Sequence, residues 1–150
     1  MVLYYVAKSC VKNKKQIKQL LEICSGKCGE RVIVQMIAYF MVLQKEMQKV
    51  IRLKRVLALK VEILKQLNTV ISHYGLNVYN ADVVDCYLQK AVQTKSEQLL
   101  LNLQKKLIIK YYALLSKLSS EQDKAIICNI IKSSIEIKCE LDKVFMLSKN

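Results

Sequence analysis

The sequence predicts an all-α protein, an up-and-down four-helix bundle with a short N-terminal extension. Three observations carry that expectation. There is no proline and there are only three glycines in 150 residues, so little interrupts helix propagation. Long stretches repeat their apolar residues at helical spacing. Residues 46–74 hold two apolar stripes, one through Val50, Leu57, Val61, Leu64 and Ile71, the other through Val56, Leu59, Ile63, Leu67 and Val70. A surface helix needs one stripe, so two place this segment at the centre of the packing.

The composition fits one domain over residues 1–150. Hydrophobic residues make up 53% and charged residues 25%, enough apolar surface to build a core and far from a disordered composition. With two Phe and no Trp, Leu, Ile and Val must fill that core, helped by Tyr.

In chain order, residues 2–6 have strand propensity but no evident partner strand, so residues 1–12 are read as a helical or docked N-terminal segment. Asn13 can cap a helix whose Ile17, Leu20, Leu21 and Cys24 share a face. The glycine cluster at 25–29 either ends that helix or bends it. Residues 32–43 are apolar nearly all round, as in a deeply buried helix or a subunit interface, and a break is expected at 44–48. Gly75 suits the residue just past the end of the central helix. A short link at 77–80, a helix over 81–93 and a capping box at 94–97 follow. Leu99, Leu100, Leu103, Leu107, Tyr111, Leu114, Leu115 and Leu118 mark a further helix. Residues 119–123 start the last one, whose apolar face includes Ile127, Ile130, Ile131, Ile135, Cys139 and Leu141.

Charge is the strongest compositional signal. The 25 Lys and Arg outnumber the 12 Asp and Glu, a formal charge of +13, and only Arg31, Arg52 and Arg55 are arginines. Lysine is a hydrated point charge, whereas arginine supplies the bidentate contacts that read base edges. The balance therefore suits a nonspecific polyanion or an acidic partner, in competition with a compositional bias that scatters solvated lysines. Candidate polyanion-binding residues are Lys45, Lys49, Arg52 and Arg55 on the central helix and Lys105, Lys106 and Lys110 on the third. Lys12, Lys14, Lys15 and Lys18 crowd the start, and Tyr111 and Tyr112 are the nearest aromatic residues.

No catalytic set stands out, and the chain reads as a non-enzyme without cofactor or metal. His73 is the only histidine, placed to complement a helix C-terminus, and it cannot make a multi-histidine centre. The six cysteines form no CxxC pair. They read as small buried hydrophobes, with Cys24 and Cys28 sharing a face if their helix is continuous. Glu30, Glu46, Glu62, Glu97, Glu136 and Glu140 read as partners for lysines on solvated faces. The longest uncharged apolar run, 32–43, is too short to span a bilayer. A cytoplasmic, reducing compartment is expected.

Several segments carry a resemblance. Residues 20–22, LLE, are followed by Gly26 and Gly29. A long helix ends in HYG at 73–75, Tyr111 and Tyr112 sit on the next, and SSEQDKA precedes the last. In these the chain resembles the small ferritin-like four-helix bundles of a bacterial family of unassigned function, over roughly residues 17–147. The resemblance implies inward carboxylates and Glu-x-x-His pairs around a metal site. Here Glu62 is followed by Lys65, no carboxylate follows Glu97 on the third helix, and Glu136 is followed by Cys139, so the ligands are not retained. The leading expectation is thus a basic, self-associating interaction or structural protein. The alternatives are a nonspecific nucleic-acid-binding or packaging protein and a ferritin-like metal-binding protein.

Overall fold

Along residues 53–70, Leu53, Val56, Lys60, Ile63, Leu67 and Val70 recur at alternating three- and four-residue steps, and all six are buried. That spacing keeps one stripe of a helix facing inward over its whole length. The computed structural model describes residues 2–3, 14–26, 28–75, 79–80 and 97–146. It is all-helical apart from one two-residue strand pair. The helices are α1 (Lys14–Ser25), α2 (Glu30–Leu43), α3 (Met47–His73), α4 (Glu97–Leu115) and α5 (Glu121–Met146).

Packing makes a ring: α2 lies against α3, α3 against α5, α5 against α4, and α4 against α2, while α1 packs on α2, α3 and α4. Cross-helix contacts give the directions. Arg52 meets Glu140 and His73 meets Asp123, so α3 and α5 are antiparallel. The three-residue link at 44–46 folds α2 back on α3, and residues 116–120 fold α5 back on α4. It follows that α3 and α4, diagonal across the core, run the same way. Strict alternation holds within each hairpin and breaks between them, because α3 ends and α4 begins at opposite ends of the ring. Residues 74–96 join the two.

The core is one cluster of Leu, Ile and Val with Met36, Phe40, Tyr111 and Phe145. Phe40 and Phe145 meet edge to face with centroids 5.6 Å apart, tying the end of α2 to the end of α5. Of the two stripes on α3, the one through Val56 and Ile63 is the more buried, with only Leu59 half-buried. On the other, Val61 is exposed and Val50, Leu57 and Leu64 are half-buried. Ile135, Cys128 and Cys139 are also exposed, contrary to their reading as core residues, because Ile127, Ile130, Ile131, Ser134 and Ile137 take the inward positions of α5. Only Cys24 of the four described thiols is buried.

Helix ends follow local chemistry. Gly75 takes φ +73°, a left-handed conformation that a Cβ disfavours, and its N–H bonds the Ser72 carbonyl to close α3. The Ser120 hydroxyl accepts the Asp123 N–H at 3.3 Å and starts α5. The glycine cluster ends α1 at Ser25, so Cys24 and Cys28 do not share a continuous helix. Val2–Leu3 (β1) pairs antiparallel with Tyr79–Asn80 (β2). The partner strand missing from the sequence reading therefore exists, and a two-residue strand is too short to show alternation. The expected Asn13 cap and the helix over 81–93 fall outside the described residues.

The backbone is tight at Gly29: a Cβ there would stand 2.6 Å from the Ile23 carbonyl oxygen and 2.7 Å from that of Glu22. These are backbone atoms held by α1, so the turn itself must open to admit a methyl group. Gly29→Ala is expected to lower unfolding stability by about 1–3 kcal/mol, the usual range for overpacking, in urea denaturation followed by far-UV circular dichroism.

Candidate functional site

Each core-lining helix of the ring interrupts its buried stripe with a polar side chain. Glu30 does so on α2, Lys60 on α3, Gln104 on α4 and Ser134 on α5, and all four are buried. The hairpins bring them together. Lys45 stands midway in sequence between Glu30 and Lys60, and Ser119 midway between Gln104 and Ser134, so folding at the two turns sets each pair at one level. Tyr111, two turns along α4 from Gln104, is buried beside them.

The Glu30, Lys60 and Gln104 side chains form a connected network with Tyr111 that reaches the Ser134 backbone, while the Ser134 hydroxyl has no hydrogen-bond partner among the described residues. Lys60 Nζ lies 2.9 Å from Glu30 Oε2 and donates to Gln104 Oε1 at 2.5 Å. Gln104 Nε2 donates to the Ser134 carbonyl oxygen at 3.0 Å, and the Tyr111 hydroxyl donates to Glu30 Oε1 at 2.8 Å. Glu30 Oε2 makes no directed hydrogen bond, so its short approach to the ammonium is an ionic contact rather than an aligned one. One cation faces one carboxylate, and the neutral amide and phenol take up remaining donor and acceptor capacity.

Burial governs the titration of these groups. Loss of hydration lowers the Lys60 pKa from its ordinary value, and the Glu30 carboxylate opposes that shift by its charge and its contact with the ammonium. Tyr111 is pushed well above its ordinary value, first by burial, then by the charge and hydrogen bond of Glu30, with a smaller contribution from Cys24. No solvent-accessible surface remains on Lys60, Glu30, Gln104 or Tyr111. A dissolved substrate does not reach them, and the chemistry the network can perform is to hold one charge pair and four helices in a fixed relation.

Comparison with protein-family models, curated proteins and solved structures finds no match to this chain. Among the described residues, no three His, Cys, Asp or Glu side chains gather as a metal site would require. No described helix is long and apolar enough to cross a membrane.

The basic residues singled out from the sequence are divided by the fold. Lys45 is exposed in the α2–α3 link and Arg55 is exposed on α3. Their neighbours meet carboxylates: Lys49 lies 3.8 Å from Glu46, and Arg52 lies 3.0 Å from Glu140. On α4, Lys105 and Lys106 are exposed and Lys110 is half-buried. Since α3 and α4 are diagonal, these two groups are not on neighbouring helices. The fold instead sets the start of α1 beside the end of α4, where Gln16 Nε2 donates to the Lys117 carbonyl oxygen at 3.2 Å.

Glu30 is the main correction: it is paired inside the core and not on a solvated face. The signal that locates the network is a polar residue at an inward position of each stripe, at matched distances from the two turns. His73 Nδ1 lies 2.6 Å from Asp123, so beyond its place at the end of α3 it is tied to the first turn of α5.

Tyr111→Phe removes the phenolic donor from a buried carboxylate oxygen and is expected to cost about 1–3 kcal/mol at neutral pH. Because the folded chain holds the Tyr111 proton at pH values where the unfolded chain releases it, this contribution is fully present below the ordinary tyrosine pKa of about 10 and is lost as pH rises above it. Urea denaturation of both proteins from neutral to strongly alkaline pH should show a gap that is widest below that value and narrows above it.

Proposed function

We propose that this chain is a non-enzymatic, basic helical bundle that acts through protein contacts and self-associates. The single observation that carries the reading is the tip of the α2–α3 hairpin. Val42 is 80% exposed and Met47 71%, with Leu43 and Ile51 beside them at 46% and 52%. Four exposed large apolar side chains thus gather on two adjoining helix ends, as they commonly do at interaction sites. The sequence pattern over 32–43 supports the same reading: the apolar residues exceed what the interior takes in.

The bundle itself is read as ferritin-like in topology. The support is the ring of four helices together with the parallel, diagonal arrangement of α3 and α4, since a single long connection between two antiparallel hairpins distinguishes such folds from simple up-and-down bundles. A fold carries no activity with it. At the core, where a metal would be held in such a bundle, this chain has a lysine ammonium facing a carboxylate.

Sedimentation velocity over a micromolar concentration range should show a dimer or higher oligomer in reversible exchange. Met47→Lys combined with Ile51→Lys should shift the population to monomer while the thermal unfolding midpoint stays close to that of the parent, because both residues lie outside the core. A parent protein that remains a monodisperse monomer throughout contradicts self-association.

A further inference from the structure

The positive charge is not spread evenly over the fold. From Gln98 to Ser120 the chain has no carboxylate, and none occurs between Lys124 and Ile135 on the adjoining α5. The exposed side of α4 carries Lys105 and Lys106, with Lys110 half-buried, and Lys117 follows in the turn. Beside that turn the bond from Gln16 holds the first turn of α1, which adds exposed Lys14, Lys15 and Lys18. None of these seven lysines is in an ion pair with a described carboxylate, whereas Lys49, Lys124, Lys138 and Lys143 are. Two lysine groups far apart in sequence thus lie on neighbouring helices, where the seven lysines outnumber the one carboxylate of α1, exposed Glu22.

An aromatic residue stands within the same surface. Tyr111 turns into the core, and its neighbour Tyr112 is 52% exposed, with exposed Ile109 one turn before it and Lys105 two turns before it. A flat ring on a lysine-rich face offers bases a stacking platform while ammonium groups neutralise phosphates. Neither α1 nor α4 carries an arginine, which limits the bidentate contacts that read base identity.

We infer that the α1–α4 face binds single-stranded nucleic acid without sequence preference, its lysines holding phosphates and Tyr112 stacking on a base. A duplex keeps its bases stacked internally and leaves Tyr112 without a role, so the single strand is the better fit. The surface is separate from the α2–α3 tip, and its occupancy does not depend on self-association.

The test is fluorescence anisotropy with a labelled oligothymidylate of about 20 nucleotides, long enough to cover a face of this kind. Measurements at about 50 mM and 200 mM salt should show a steep loss of affinity, as expected when several phosphates are neutralised. Lys105→Glu with Lys106→Glu should weaken binding at least about tenfold and flatten the salt dependence. Tyr112→Ala should weaken binding by about tenfold with the salt dependence unchanged. Lys54→Glu with Arg55→Glu makes the same charge change on α3 and should have a much smaller effect. Circular dichroism and thermal unfolding establish that each variant is folded. The inference is overturned by absence of binding at low salt or by equal losses from the α3 and α4 pairs. It is also overturned if Tyr112→Ala leaves affinity unchanged, or if phosphatidylserine vesicles bind as tightly as the oligonucleotide and compete with it.

Discussion

A lysine ammonium with no exposed surface is the constraint on which this structure depends. Removing such a charge from water costs several kcal/mol, and the cost is offset only if a counter-charge and further acceptors stand in place. Glu30 and Gln104 meet that demand, and each comes from a different helix. Tyr111 and the Ser134 carbonyl then complete the partners of those two side chains. Apolar contacts between Leu and Ile side chains tolerate a shift of one helix along another, because one aliphatic surface resembles the next. The polar network does not tolerate it, since a displaced α2 or α4 strands a charge in the core. The buried pair contributes less to stability than to selecting one alignment of the four helices.

That alignment has consequences at the surface. With α2 and α3 locked at the level of Glu30 and Lys60, their common tip projects Val42, Leu43, Met47 and Ile51 into solvent. The same arrangement makes α3 and α4 diagonal, which separates the Arg52 side from the Lys105 side. It leaves the first as a mixed surface with Glu46 and Glu140 and the second as a predominantly basic one. Net charge alone did not distinguish these surfaces. Neighbour relations did.

Much of the fold is legible in the sequence, for physical reasons that particular residues make plain. Helical periodicity located the inward stripe through Val56, Ile63 and Leu67, local chemistry placed the ends at Gly75 and Ser120, and segment length called for the break at 44–48. What periodicity does not encode is which helices become neighbours. Hence Glu30 read as a partner for lysines on a solvated face, although it and Lys60 both fall on inward positions. Half-apolar stripes also hide exposure: Ile135 and Val61 fit a helical pattern yet lie outside, because the partner helices cover only one arc of α5 and α3. The β1–β2 pair rests on backbone hydrogen bonding between distant segments, which leaves no mark in side-chain type.

The most direct test of the buried pair is a double-mutant cycle on Lys60→Met and Glu30→Gln, with unfolding free energies from urea denaturation. Each single change breaks the pair and is predicted to cost about 3–5 kcal/mol, because it leaves one charge without its partner. The double change should cost less than the sum of the two by roughly 1–3 kcal/mol, the coupling expected of groups in direct contact. Two small, additive losses would contradict the pair as the element that aligns the helices.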